Sequence, residues 1–159
     1  MPDTPPSRGR RPSPRSRPAH LRASHVAIVA LGGALGTGLR ELLTLLIPAA
    51  GPFPTAIFVI NLTGAFALGV VLETLLRLGP DEGRLRGLRL LIGTGFLGGY
   101  TTYSTLAVGV AQAFVAAHAW IGAAYGLGTV VAGAAASFAG IAVGAEIQRW
   151  RALPARRAR

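Results

Sequence analysis

The sequence predicts an all-α membrane protein with four transmembrane helices. Of its 159 residues, 51% are hydrophobic and only 14% are charged, and the mean hydropathy is +0.49. Soluble domains carry about a quarter charged residues, so this balance indicates a chain that resides in lipid. Four apolar segments are each long enough to cross a bilayer, which takes about 20 helical residues. They span about residues 25–47, 53–76, 88–110 and 119–147.

The chain divides into two tails and a central domain that contains the four spans. Residues 1–24 form an Arg/Pro-rich tail, predicted to be disordered because it has too few apolar groups to fold. Residues 25–147 form the four-helix domain, and residues 148–159 form a basic tail. The spans are separated by a proline cluster near residue 52, the charged turn 77–89 and a weak break near His118.

The arginines predict the orientation of the spans. Arginine supplies all 16 basic residues: six in residues 1–24, four in the turn 77–89, five in residues 148–159, and Arg40 within a span. With four spans, the fifteen arginines of the two tails and the turn fall on one side of the membrane. The positive-inside rule then places both termini in the cytoplasm of a multi-pass protein of the cell (inner or plasma) membrane. This asymmetry accounts for the net charge of +10 without nucleic acid. Anionic lipid is the expected partner of the basic tails, and solvated disorder of the tails is the alternative.

The third span is the most informative part of the chain. Gly93–Leu106 contains four glycines, five Thr or Ser residues and two tyrosines, and it has no charge. The pair Gly98-Gly99 loosens a helix and can free backbone carbonyls, so a break is predicted there. The polar but uncharged composition indicates an ion path through the membrane.

Enzymatic chemistry is not predicted. Gly93-x-Gly95-x-x-Gly98 formally matches a dinucleotide-binding fingerprint, but no strand precedes it and the next acidic residue is Glu146. The chain has no cysteine, no His/Asp/Glu cluster with metal-ligand spacing and no nucleophile with a base partner.

Several polar residues within the spans are candidates for function. Asn61 lies in the second span, where an amide is costly unless it is paired or hydrated. Arg40 closes the first span, where it could instead extend to the interface. Tyr125 and Thr129 share one face of the fourth span, where an inter-helix hydrogen bond is the alternative.

Small residues also recur at the spacing used for close helix packing. The pairs are Gly32 and Gly36, Gly122 and Gly126, and Gly140 and Gly144. This spacing predicts that helix backbones approach one another closely at these positions. A general abundance of glycine and alanine is the alternative explanation.

Three blocks of sequence carry a resemblance to a known family. They read G-G-A-L-G-T-G-L-R at residues 32–40, P-T-A-I-F-V-I-N-L-T-G-A-F-A-L-G at residues 54–69, and G-F-L-G-G-Y-T-T-Y-S-T at residues 95–105. In this order they resemble the first three helices of the Fluc (CrcB-type) fluoride-specific ion channel family. The third block is similar to the highly specific family signature G-F-x-G-G-x-T-T-F-S-T-F.

The resemblance implies an antiparallel (inverted) dimer of four-helix subunits with a broken third helix. Such a dimer has two fluoride pathways, through which fluoride leaves the cytoplasm passively. It also holds a structural Na⁺ that is not transported. By motif position, backbone carbonyls of Gly98 and Thr101 would bind this sodium ion.

The resemblance also implies which residues line the fluoride path. Asn61 matches the pore asparagine, Tyr103 stands at the first pore phenylalanine, and Ser104 and Thr105 continue the run of hydroxyls. The remaining positions, matched to the first and fourth helices, are Arg40, Tyr125 and Thr129.

Two departures from the family pattern predict a special dimer. Leu106 stands at the second pore-phenylalanine position and offers no electropositive ring edge. The arginine bias of fifteen to none does not fit a subunit that inserts both ways. We therefore expect a heterodimer with a paralogue of opposite orientation, in which this chain conducts weakly or is a non-conducting partner.

Two other readings stay open from the sequence. A small four-helix drug/proton exporter needs an acidic residue deep in its first helix. The only candidate is Glu41, which lies at the helix end beside Arg40. A membrane scaffold that does not transport is the second reading, in which the glycines and threonines serve packing alone.

Overall fold

The protein is described by a computed structural model that covers residues 22–48 and 54–157, with side chains to residue 151. This part of the chain is helical and contains no strand. The elements are α1 (Ala23–Leu46), α2 (Thr55–Leu78), α3 (Gly83–Leu88), a π-helix (Arg89–Leu97), α4 (Gly98–Tyr100), α5 (Tyr103–Val115) and α6 (Ala119–Arg157). The predicted disorder of residues 1–21 and the proline at residue 52 lie outside the described residues.

Three helices of the described chain are long and apolar enough to cross a membrane: Ala23–Leu46, Thr55–Leu78 and Ala119–Arg151. They correspond to the first, second and fourth predicted spans. The region of the third span, predicted as residues 88–110, is built from α3, the π-helix, α4 and α5. Between α4 and α5 the backbone is extended at Thr101 and Thr102.

The first and last helices extend beyond the apolar spans predicted for them. The first helix begins at Ala23, inside the segment predicted to be disordered, and the last helix continues to Arg157 instead of ending at Ile147. The apolar pattern ends near residue 147, but alanine and arginine are strong helix formers. The helix therefore continues beyond the apolar segment. The charged turn 77–89 likewise contains the short helix α3.

Glycines set the distance between α1 and the third-span region. A Cβ atom added at Gly32 would overlap the Leu91 carbonyl oxygen, and one at Gly36 would overlap the Phe96 carbonyl oxygen. From the other side, a Cβ at Gly99 would overlap the Gly33 carbonyl oxygen. The two backbones are therefore in direct contact, as small residues permit between helices in lipid.

Glycines also allow close packing of α2 against α6. A Cβ at Gly140 would overlap the Phe66 carbonyl oxygen, and one at Gly69 would overlap that of Ser137. Gly144 lies against the Val70 carbonyl oxygen, at 2.9 Å from the added Cβ position. Close packing at the predicted Gly32/Gly36 and Gly140/Gly144 pairs is thus confirmed.

The outer faces of the long helices are apolar. Leu31, Leu35 and Leu45 of α1 are exposed, as are Leu127 and Phe138 of α6. In water such continuous apolar surface would drive association. In a bilayer such a surface would contact acyl chains. Lipid contact does not explain the polar groups of the third-span region.

Candidate functional site

The candidate site is the break between α4 and α5. Thr101 has φ −80° and ψ 157°, and Thr102 has φ −147° and ψ 124°. Both residues are therefore extended, and Thr102 is buried with 7% of its surface exposed. Extended backbone at membrane depth is stable only where other groups take up its hydrogen bonds.

Asn61 of α2 supplies two of these hydrogen bonds. Its Nδ2 donates to the Thr102 carbonyl oxygen at 2.9 Å, and its Oδ1 accepts from the Thr102 N–H at 2.8 Å. The side-chain amide thus pairs with the donor and the acceptor of one residue, as a neighbouring strand would. This explains why an amide, with both functions on one planar group, occupies this position in an apolar helix.

The Thr102 hydroxyl caps the helix that follows. Its Oγ1 accepts from the Thr105 N–H at 3.2 Å, which satisfies one of the unpaired donors in the first turn of α5. The same oxygen lies 3.2 Å from Ser104 Oγ and 3.1 Å from Thr105 Oγ1. Three hydroxyls therefore meet at the start of α5, and one of them belongs to Thr102, the residue whose backbone Asn61 binds.

These contacts divert the helical donors of two backbone carbonyls. In a continuous α-helix the Thr102 N–H would bond the Gly98 carbonyl, and the Thr105 N–H would bond the Thr101 carbonyl. Here the first donates to Asn61 and the second to the Thr102 hydroxyl. The carbonyls of Gly98 and Thr101 are thereby released from the α-helical pattern.

A third carbonyl at the break is held by α1. The Gly99 carbonyl oxygen accepts from Thr37 Oγ1 and from Arg40 Nη1, each at 3.3 Å. Arg40 also pairs with the exposed Glu41 at 3.3 Å. A cation at the carbonyl end of a short helix is favourable because the last carbonyls lack helical donors. Arg40 thus contacts the break directly rather than extending only to the interface.

Substituting Arg40 with methionine is expected to lower the thermal unfolding midpoint of the detergent-purified protein. The change removes a charge-assisted hydrogen bond to a carbonyl, worth about 1.5–3 kcal/mol. The matched variant Glu41→Gln removes only the exposed partner and should change the midpoint little, since surface ion pairs contribute about 0–1 kcal/mol. Equal midpoints for the two variants would contradict this role for Arg40.

The other predicted path residues fall into two groups. Tyr103 is 80% exposed on the outer surface of α5, and Ser104 and Thr105 are also exposed beside it. Tyr125 and Thr129 of α6 are buried instead, and Thr129 donates its hydroxyl hydrogen to the Tyr125 carbonyl at 2.7 Å. Of the predicted path residues, the structure thus brings Asn61, Arg40, Ser104 and Thr105 to the break.

Leu106 belongs to the buried group. It packs with Ile57 of α2 and with Tyr125 in one apolar cluster. Ile57 lies one helical turn before Asn61, so this cluster adjoins the break along α2. The residue that departs from the family pattern is thus a core residue of the subunit.

Sequence reasoning missed two residues that organise the site, Thr102 and Thr37. The role of Thr102 had a sequence signal, because threonine is a preferred N-cap residue and Thr102 directly precedes the helical segment. Thr37 had no such signal, since its contact with Gly99 depends on the packing of α1. Tyr100 was also passed over; its hydroxyl lies 2.9 Å from Thr63 Oγ1 and its ring stacks on Phe96.

Comparison with known proteins gives one family. The family model described as "CrcB-like protein, Camphor Resistance (CrcB)" matches residues 27–141. The match begins in α1 and ends in α6, so it includes the break and each of its partners.

Individual relatives agree with this match. A "Fluoride-specific ion channel FluC 2" of Leifsonia xyli subsp. xyli is 48% identical over 132 residues, covering 83% of this chain and 91% of that protein. A "Fluoride-specific ion channel FluC 1" of Cutibacterium acnes is 46% identical over 110 residues, covering 69% and 77%. A "Fluoride-specific ion channel FluC 3" of Streptomyces avermitilis is 37% identical over 127 residues, covering 79% and 61%.

Proposed function

Because this chain belongs to the CrcB-like family, a family of multi-pass membrane ion channels, we propose that it is a fluoride-specific channel subunit. It lets fluoride leave the cytoplasm passively and so lowers the fluoride concentration there. The observation that carries the proposal is the group of donors at the break, where the Asn61 amide binds the backbone of Thr102 and the Thr102 hydroxyl contacts those of Ser104 and Thr105. No catalytic group is needed for flow down a gradient.

The donors suit fluoride in particular. Fluoride is small and strongly hydrated, so a path through lipid must replace its water with hydrogen-bond donors. Asn61 Nδ2 carries two N–H groups and uses one on Thr102, while Ser104 and Thr105 can turn their hydroxyls outward. The exposed ring of Tyr103 adds an electropositive edge beside them. Arg40, Tyr125 and Thr129 would extend the path at either end.

The third-span region would make the third of four membrane crossings. α3, the π-helix, α4 and α5 together cover Gly83–Val115, which is long enough for a bilayer of about 30 Å. With four crossings, the arginine bias places both termini in the cytoplasm. The break then lies within the membrane, where a donor cluster is of use to an anion.

A structural Na⁺ fits the residues at the break. The carbonyls of Gly98 and Thr101 would hold it, because their helical donors are diverted to Asn61 and Thr102. Hard cations prefer oxygen ligands. Gly98 is exposed, and a Cβ atom there would meet nothing within 4 Å, so packing within the subunit does not explain this glycine. An ion shared with a second subunit would explain it, and its charge would favour an anion nearby.

Replacing Na⁺ by N-methylglucamine during purification is therefore expected to lower the thermal unfolding midpoint and the fraction of dimer. A bound ion stabilises the folded state in proportion to the logarithm of its concentration. The measurement is size-exclusion chromatography with a thermal ramp across a Na⁺ series, with K⁺ as the ionic-strength control. A midpoint that does not depend on Na⁺ would remove the ion from the account.

The dimer would be antiparallel, with a paralogue of opposite orientation as the partner. Fifteen arginines on one side and none on the other oppose dual insertion. The numbers in the relatives' names indicate more than one such chain in an organism. Because Leu106 packs inside the subunit, a subunit that supports conduction mainly through its partner's path is the second candidate function. A stable antiparallel dimer of this chain alone that conducts fluoride would contradict the heterodimer.

A growth assay in cells distinguishes the fluoride channel from a drug/proton exporter. Glu41, its only acidic candidate in α1, is 63% exposed at the side chain and pairs with Arg40. A bacterium that lacks fluoride export should grow in fluoride when it expresses this chain with its paralogue, and Glu41→Gln should keep that protection. Loss of protection in Glu41→Gln, or protection against cationic drugs instead, would favour the exporter. A scaffold would protect against neither.

A further inference from the structure

A basic cleft lies at the far end of the subunit from the start of α2. It has a volume of about 510 Å³ and is lined by Arg77 of α2 with Gln148, Arg149 and Arg151 of α6. α2 and α6 run side by side here, since Gly144 packs on Val70 and Glu73, about one to two helical turns before the cleft. The cleft is separate from the break and contains none of the residues of the proposed fluoride path.

With the start of α6 at the opposite membrane surface, the length of α6 brings the cleft to the lipid headgroups. Gln148 follows the start of α6 at Ala119 by 29 residues, about 44 Å at 1.5 Å per residue. This exceeds the hydrocarbon thickness of about 30 Å. Trp150 is 66% exposed beside it, and tryptophan is enriched at the membrane–water boundary. Leu76 and Val143 are exposed apolar residues that precede the cleft along α2 and α6.

Charge and hydrogen bonding in the cleft point to an anionic oxygen ligand. Arg77 pairs with Glu73, and Arg149 pairs with Glu146 at 3.1 Å. Three guanidinium groups therefore line the cleft, and two carboxylates pair with them. Because a guanidinium group carries five N–H donors in a fork, these arginines keep N–H groups for a further acceptor. Gln148 Nε2 is buried and has no hydrogen-bond partner among the residues that the structure describes. Burying an amide donor without an acceptor is costly.

We propose that this cleft binds the phosphate group of an anionic membrane lipid. The phosphate oxygens would accept from Gln148 Nε2 and from the guanidinium groups of Arg149 and Arg151. The acyl chains would lie along the exposed apolar faces at Leu76 and Val143. The site would anchor the cytoplasmic end of the α2–α6 pair in the inner leaflet, and it does not depend on fluoride conduction.

The test is lipid binding by native mass spectrometry of the full chain, purified in detergent and titrated with phosphatidylglycerol or phosphatidylcholine. The double variant Arg149→Gln/Arg151→Gln should lose affinity for phosphatidylglycerol by about tenfold, because charge-assisted hydrogen bonds to phosphate are lost. Gln148→Leu should lower that affinity by about threefold, as a single neutral donor is worth less. Phosphatidylcholine binding should stay weak in all variants.

The matched control is Arg22→Gln/Arg84→Gln, which removes two exposed arginines outside the cleft. It should keep phosphatidylglycerol affinity within about twofold of the unmodified chain, as isolated surface charges contribute little. Equal losses in the two double variants would overturn the proposal in favour of general charge attraction. Competition by inorganic phosphate as strong as that by the lipid would overturn it in favour of a soluble anion.

Discussion

Asn61→Ala is expected to abolish measurable fluoride efflux. The substitution removes both hydrogen bonds that hold the extended backbone at Thr102, at 2.8 and 2.9 Å, and it removes the amide donor at the break. Leaving a buried N–H and a buried C=O unpaired costs about 1–3 kcal/mol each. Every 1.4 kcal/mol changes a population about tenfold, so the conducting geometry at the break should become rare.

Efflux from liposomes measures the effect, and Thr44→Ala is the control. Thr44 donates its hydroxyl hydrogen to the Arg40 carbonyl within α1, at 2.9 Å and exposed. Its loss should leave efflux unchanged. Size-exclusion profiles of both variants separate a lost path from a lost fold. Normal efflux through Asn61→Ala would show that the amide neither holds the break nor serves the ion.

Gly36→Ala is expected to have the largest effect on stability. The new Cβ would overlap the Phe96 carbonyl oxygen and would also lie 2.9 Å from the Tyr100 amide nitrogen. Overpacking costs about 1–3 kcal/mol even where side chains can adjust, and here the neighbour is backbone. α1 would have to move away from the π-helix and α4, which would also separate Arg40 from Gly99.

Gly38→Ala is the matched control on the same helix. A Cβ at Gly38 meets nothing within 4 Å. Alanine in a helix interior is more favourable than glycine by about 1 kcal/mol, so the unfolding midpoint should stay equal or rise. Thermal unfolding in detergent, followed by circular dichroism, compares the two variants. A Gly36→Ala midpoint equal to that of Gly38→Ala would contradict the close contact of α1 with the third-span region.

The helices could be predicted from sequence because their signals are local. Apolar runs and bounding prolines placed α1 and α2 within two residues of each end. The glycine spacing likewise predicted the backbone contacts at Gly36 and Gly140. The end of α6 could not be read from hydropathy, since helical hydrogen bonds continue where apolar side chains stop.

The site could be predicted in part for the same reason. Gly98-Gly99 and the hydroxyl run indicated a loosened polar segment. Which side chains take over the freed hydrogen bonds depends on tertiary packing, so the pair of hydrogen bonds between Asn61 and Thr102 had no sequence signal. In the sequence Leu106 only departs from the pattern of the path, because its contacts with Ile57 and Tyr125 form when α2, α5 and α6 pack together.

The central claim is that this chain conducts fluoride selectively, with an oppositely oriented paralogue as its partner. The most direct measurement is electrode-recorded efflux from fluoride-loaded and chloride-loaded liposomes. They would hold this chain, the paralogue, or both. We expect rapid fluoride release and no chloride release from liposomes with both chains. The fluoride release should be lost when this chain carries Asn61→Ala. Absence of fluoride release from all three preparations, or equal release of chloride, would contradict it.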